Sequence, residues 1–135
     1  MSLRLPGDSR PSVDVWLRGF DLDRFLHDHF LDVLIAVPFR VREDVMTDCR
    51  FRVFDYEPGP GCVCVPVSSP ARGALGGSRC VVLKRTLRER AASFVRYVIA
   101  HELAHAHLRN LGRHPGEDPE HAADALAAEW GFPRP

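Results

Sequence analysis

No apolar run in this 135-residue chain approaches the roughly 20 residues needed to cross a bilayer. The first residues, MSLRLPGDSRPS, lack the apolar centre of a secretory signal. Membrane association is therefore not expected, and the expected location is cytoplasmic. Charge of one sign is also missing: 18 Lys and Arg balance 18 Asp and Glu, so no global field draws the chain to nucleic acid or lipid. Cysteines are few, and none are spaced C-x-x-C. Cys49, Cys62, Cys64 and Cys80 read as thiols, small apolar residues in a sheet, with a second metal site built from all four as the alternative. There are no internal repeats. The apolar fraction of 45% and charged fraction of 27% are those of an ordinary globular domain, and 135 residues suffice for one core. One domain spanning 1–135 is expected.

Residues 1–12 carry Pro6, Gly7 and Pro11 and read as an irregular arm. From Asp21, a plausible N-cap, to Leu34, the apolar residues recur at helical spacing, and Pro38 ends the pattern. Within this helix His27-Asp28-His29 resembles metal chemistry, but alternate residues point apart on a helix, so it reads as a solvated face. Arg50 to Tyr56 alternates like a strand, Glu57 to Gly61 reads as a turn, and Cys62 to Val67 as a second strand, which together suggest a hairpin. Ser68 to Ser78 reads as a loop and Arg79 to Lys84 as a short strand.

A long helix is expected from Arg88 or Ala91 to Asn110, ending near Gly112. It contains His101-Glu102-Leu103-Ala104-His105, the pattern H-E-x-x-H. Positions i and i+4 share one helix face, so two imidazoles there can grip one metal ion, and the intervening Glu can act as general base on a water at that metal. Phe94, Val98, His101, His105 and Leu108 form one stripe, which turns both histidines inward; His107 points elsewhere. Buried histidines need polar partners, and a cation would satisfy both.

A second helix opens at Asp118-Pro119, an N-cap followed by proline at the first position, and runs through alanines to Trp130, with Gly131 as its stop. Catalytic zinc takes three protein ligands and leaves one position open. Glu120 is the leading candidate for the third. Asp124 lies one turn further along the same face and can fix the tautomer of a ligand histidine. His114, His121, Glu117 and Asp118 remain alternatives, and an ordinary acidic first turn is the competing reading of Glu120.

The H-E-x-x-H segment together with Glu120-His121-Ala122-Ala123-Asp124-Ala125-Leu126-Ala127 resembles the gluzincins, zinc metallopeptidases with two His ligands and a Glu on the following helix. The pattern E-x-x-A-D-x-x-A is most like the ImmA/IrrE-type branch, and the likeness covers about residues 79–132. SprT-like peptidases, which use a third His, resemble the chain more weakly and keep His114 in view. The helix-turn-helix or sensor domain often found beside ImmA/IrrE-type domains is not expected within these 135 residues, and residues 1–60 carry no assignable motif.

The resemblance implies an α+β, zincin-like fold: a small, mostly antiparallel sheet packed on the H-E-x-x-H helix, followed by a second ligand-bearing helix, with both helices in residues 88–132. It implies one catalytic Zn2+ held by His101, His105 and Glu120, with Glu102 as general base and Asp124 behind a ligand histidine. The expected partner is a protein or peptide substrate lying along an edge strand, here Arg79 to Lys84. His114, His121 and Tyr97 are candidates to steady the oxyanion. The alternative function is a non-catalytic zinc-binding regulatory or protein-interaction module. Six basic residues between Arg79 and Arg96, against Glu89 alone, form a local patch that could meet phosphate or simply face solvent; nucleic acid is the less favoured partner.

Overall fold

The computed structural model describes residues 9–57, 79–110 and 118–135. In chain order these form α1 (Arg10–Arg18), α2 (Arg24–Ala36), α3 (Phe39–Met46), β1 (Phe51–Tyr56), β2 (Arg79–Lys84), a 3-10 turn (Arg85–Glu89), α4 (Ala92–Asn110) and α5 (Pro119–Glu129). The fold is thus α+β. None of the described helices is long and apolar enough to cross a membrane.

The N-terminal half departs from the sequence reading in three places. The arm expected over residues 1–12 gives way to helix at its end. Ser9 and Ser12 form a capping box, Pro11 sits in the first turn, and Val13 and Leu17 are fully buried one turn apart. Helix α2 is capped by Asp23 rather than Asp21: the Asp23 side chain accepts from the Phe25 N–H at 3.1 Å, whereas Asp21 sits in the left-handed region with φ 54°. Pro38 does close α2, but it also serves as the N-cap position of α3, which the sequence reading left unassigned. Arg42 of α3 reaches back and donates to the carbonyls of Leu34, Ile35 and Val37 at 3.0, 3.1 and 2.8 Å. This cation at the C-terminal end of α2 satisfies carbonyls that helical bonding leaves open.

The two described strands pair in parallel, with Phe51 opposite Arg79 and Tyr56 opposite Lys84. The mostly antiparallel sheet is therefore corrected for this pair. Alternation along each strand places Phe51, Val53, Val81 and Leu83 on the core side, and that alternation is satisfied by either strand direction. The strand and hairpin expected over 62–67, the loop over 68–78 and the helix end at Gly112 lie outside the described residues.

One cluster of buried side chains draws on all five helices and both strands. Helix α4 lies in its middle. Its deepest face is Val95, Ile99, Leu103 and Ala106, while Phe94, Val98 and Leu108 are only partly buried. The histidine stripe thus runs along the margin of the core. Helix α5 packs on α4, and its Ala123 and Ala127 lie in the shared core with no exposed surface. It ends in a Schellman arrangement: Gly131 has φ 99°, its N–H donates to the Ala128 carbonyl at 3.0 Å, and the Phe132 N–H donates to that of Ala127 at 2.9 Å.

Candidate metal centre

Two consecutive turns of α4 and the first turn of α5 supply the site. The Asp118 side chain accepts from the Glu120 N–H at 3.0 Å, and Pro119 occupies the first turn, as the sequence predicts. That cap fixes where α5 begins, and the alanine contacts fix how near it lies to α4. Glu120 is thereby brought over the two histidines.

The Nε2 atoms of His101 and His105 lie 3.1 Å apart. Oε1 of Glu120 is 3.0 Å from Nε2 of His101, and Oε2 is 2.8 Å from Nε2 of His105. One ligand atom from each residue lies within 4.8 Å of the others, a grouping that could hold a metal ion. His101 is buried, His105 half-buried and Glu120 exposed.

Oδ1 of Asp124 is 2.7 Å from Nδ1 of His101. The same oxygen accepts a hydrogen bond from the Tyr97 hydroxyl at 2.5 Å, and the Tyr97 oxygen accepts from Nε of Arg134 at 3.1 Å. The Tyr97 bond, foremost, and the His101 contact hold the Asp124 carboxyl below its usual range, against the opposing effect of burial. Burial, and next the Asp124 contact, push the Tyr97 hydroxyl up, so it remains a donor.

An ionised Asp124 must receive its hydrogen from Nδ1 of His101, which in the neutral ring leaves a lone pair on Nε2. That lone pair faces a Glu120 oxygen at 3.0 Å. Acceptors gathered so closely call for positive charge between them, supplied either by a second proton or by a cation. The donor set, two imidazoles and one carboxylate, suits a borderline divalent metal.

Beside this cluster a cavity of about 530 Å3 opens between the end of β2, the 3-10 turn and α4, with Val82, Lys84, Leu87, Phe94, Val98 and Glu102 in its lining. Glu102 thus belongs both to the motif and to the wall of a space that can admit a ligand.

The remaining candidates fall elsewhere. His121 is exposed on α5, outside the group of three. His114 and Glu117 lie outside the described residues, as do Cys62 and Cys64. Cys49 is exposed and Cys80 half-buried. His107 points to α3, where its Nδ1 is 2.7 Å from Oδ2 of Asp44. The solvated reading of His27-Asp28-His29 is corrected: only Asp28 is exposed, while His27 is buried with Nε2 2.6 Å from Oδ1 of Asp14. Tyr97, a candidate for the oxyanion, instead spends its hydroxyl on Asp124. The sequence reading missed the partnership of Tyr97 and Arg134 with Asp124. The spacing of Tyr97, one turn before His101 on the same face, was a usable signal; nothing in the sequence marks Arg134.

The basic run is partly neutralised within the fold. Arg85 pairs with Asp55 at 3.1 Å, Arg88 with Asp23 and Glu57 at 3.6 Å each, and Arg96 with Asp32 at 2.9 Å. Arg79 is buried, and the Arg90 guanidinium lies 4.1 Å from the Phe94 ring centroid. Comparison of the chain with protein-family models, with curated proteins and with solved structures finds no match.

Proposed function

We propose that this chain is a zinc-dependent metallopeptidase of gluzincin-like, zincin-fold type. The observation that carries the reading is the convergence of His101, His105 and Glu120, with Asp124 behind His101 on the ring nitrogen that does not face the ligands. Tetrahedral zinc with nitrogen and oxygen ligands at about 2.0–2.1 Å places those ligands about 3.3 Å apart. The two imidazole nitrogens here are 3.1 Å apart, each faces a different oxygen of Glu120, and one ligand atom from each of the three residues lies within 4.8 Å of the others.

His101, His105 and Glu120 would hold the ion. Zinc bound there would act as a Lewis acid and lower the pKa of a water toward neutrality. Asp124 keeps the Nδ1 proton on His101 and so keeps its Nε2 available. Glu102 takes a proton from the attacking water and passes it to the leaving amine nitrogen. Val82, Leu87, Phe94 and Val98 in the lining can take an apolar side chain of a peptide substrate, alongside the charged Lys84, Glu89, Arg90 and Glu102. The internal pairing of Arg85, Arg88 and Arg96 favours such a substrate over a nucleic-acid backbone.

Zinc per chain, measured by elemental analysis on protein purified without added metal, tests the first half of the proposal; about one equivalent is expected. Cleavage of a peptide library by the parent protein and by Glu102→Gln tests the second. The variant should keep its zinc and lose hydrolysis. Bound zinc with no cleavage by the parent protein would leave the non-catalytic zinc module standing instead.

A further inference from the structure

We propose that Tyr97 and Arg134 are positioning residues for the metal ligand His101, acting through Asp124. The inference rests on the metal-site reading above and extends it to side chains outside the ligand set.

Tyr97 and His101 lie one turn apart on α4, and both address one oxygen of one residue on α5. Oδ1 of Asp124 is 2.5 Å from the Tyr97 hydroxyl and 2.7 Å from Nδ1 of His101. The direction of every hydrogen is determined. Nε of Arg134 can only donate, so at 3.1 Å it occupies a lone pair of the Tyr97 oxygen and turns the phenolic hydrogen toward Asp124. The carboxylate accepts that hydrogen, accepts a second from Nδ1 of His101, and is thereby fixed as the acceptor for the imidazole.

Each link also restrains an alternative. Nε of Arg134 lies 3.9 Å from the other Asp124 oxygen. Without the Tyr97 hydroxyl, the carboxylate can turn toward this exposed cation and away from the imidazole. With the hydroxyl present, Arg134 is held over the phenol ring, its guanidinium carbon 5.6 Å from the centroid. Tyr97 is buried, so its hydroxyl has little water to bond instead. Helices α4 and α5 and the segment after α5 are thus joined at one carboxylate whose orientation sets the direction of a ligand lone pair. Partners of this kind behind metal ligands change metal affinity by about 10- to 100-fold when removed.

Tyr97→Phe removes one oxygen and keeps the ring, so it separates positioning from packing. Two readouts apply: zinc affinity by competition with a chromophoric chelator, and the Nδ1–H resonance of His101 in 15N-histidine-labelled protein, with and without zinc. Tyr97→Phe should bind zinc about tenfold more weakly and shift the His101 Nδ1–H resonance even before metal is added. Arg134→Gln, at an exposed position, should move both readouts in the same direction by less, and it carries the test if Tyr97→Phe does not fold. A change in thermal midpoint alone, with zinc affinity and the resonance both as in the parent, would overturn the inference and leave the metal site intact. A parent protein that takes up no zinc would overturn the metal-site reading itself.

Discussion

Nε of Arg79 donates to the carbonyl of Ala106 at 3.0 Å, tying the first residue of β2 to the helix turn that carries His105. The same guanidinium lies against Asp44 of α3 at 2.5 Å and Asp48, which precedes β1, at 2.6 Å. Asp44 in turn meets His107 of α4 at 2.7 Å. A buried arginine with two carboxylates and a carbonyl therefore joins the sheet, α3 and the back of α4.

Arg79→Met should expose the cost of that arrangement. The substitution takes the shared cation from two mostly buried carboxylates and leaves Asp48 with Arg50 and Asp44 with His107. The loss should therefore approach but not exceed the cost of an uncompensated buried ionic group, about 3–5 kcal/mol. Urea unfolding followed by far-UV circular dichroism measures the loss; a change below about 1 kcal/mol would mean that Arg50 and His107 suffice for the two aspartates.

Asp48 gives the fold an acid limit. Hydrogen bonds from Arg50, foremost, and from Arg79 hold its carboxyl well below the usual carboxylate range. A group whose folded pKa is depressed binds fewer protons folded than unfolded, so its contribution is complete above the unfolded value of about 4 and is lost as pH falls toward the folded value. Asp48→Asn should lower stability at neutral pH and flatten the decline below about pH 4. Equilibrium unfolding between pH 2 and 7 checks this, and parallel parent and variant curves would refute it.

Ala123→Leu tests the spacing of α4 and α5, which carry the candidate metal site. Ala123 has no exposed surface, so the larger side chain must force α5 away from α4. Overpacking of this kind costs about 1–3 kcal/mol. Zinc affinity should fall as well, because Glu120 rides on the displaced helix. Calorimetric titration with zinc separates the two effects, and unchanged affinity in a destabilised protein would show that Glu120 is not a required ligand.

Asp118→Ala removes the side-chain acceptor from the Glu120 N–H. Loss of such a cap costs about 0.5–2 kcal/mol. Added zinc should restore part of the lost thermal stability if the ion braces the first turn of α5 from the other side; equal thermal shifts in parent and variant would show that the cap and the ligand are independent.

The C-terminal elements were legible in the sequence because their signals are local. Asp118, Pro119 and Gly131 each mark a helix end by their own backbone chemistry, and the His101–His105 interval carries its geometry with it. Glu120 followed from the same logic, since the cap dates the start of α5 and so places its first turn. What escaped depends on partners distant in sequence. Alternation along Arg50–Tyr56 and Arg79–Lys84 identified strands but carried no information on direction. Arg79 reads as a surface charge until Asp44 and Asp48 close around it, and His27 reads as solvated until Asp14 of α1 meets it. Helices α1 and α3, of nine and eight residues, are too short for periodicity to separate them from irregular chain.

The three side chains of the candidate metal site differ in their access to water: Glu120 is 70% exposed, against 11% for His101 and 18% for His105. If the proposed ion is held there, a chelator would meet Glu120 before the imidazoles. Residence time would then follow how readily Glu120 lets go, and the preference among metals would follow the sheltered imidazole pair. One helix turn would govern how long an ion stays, and another which ion it is.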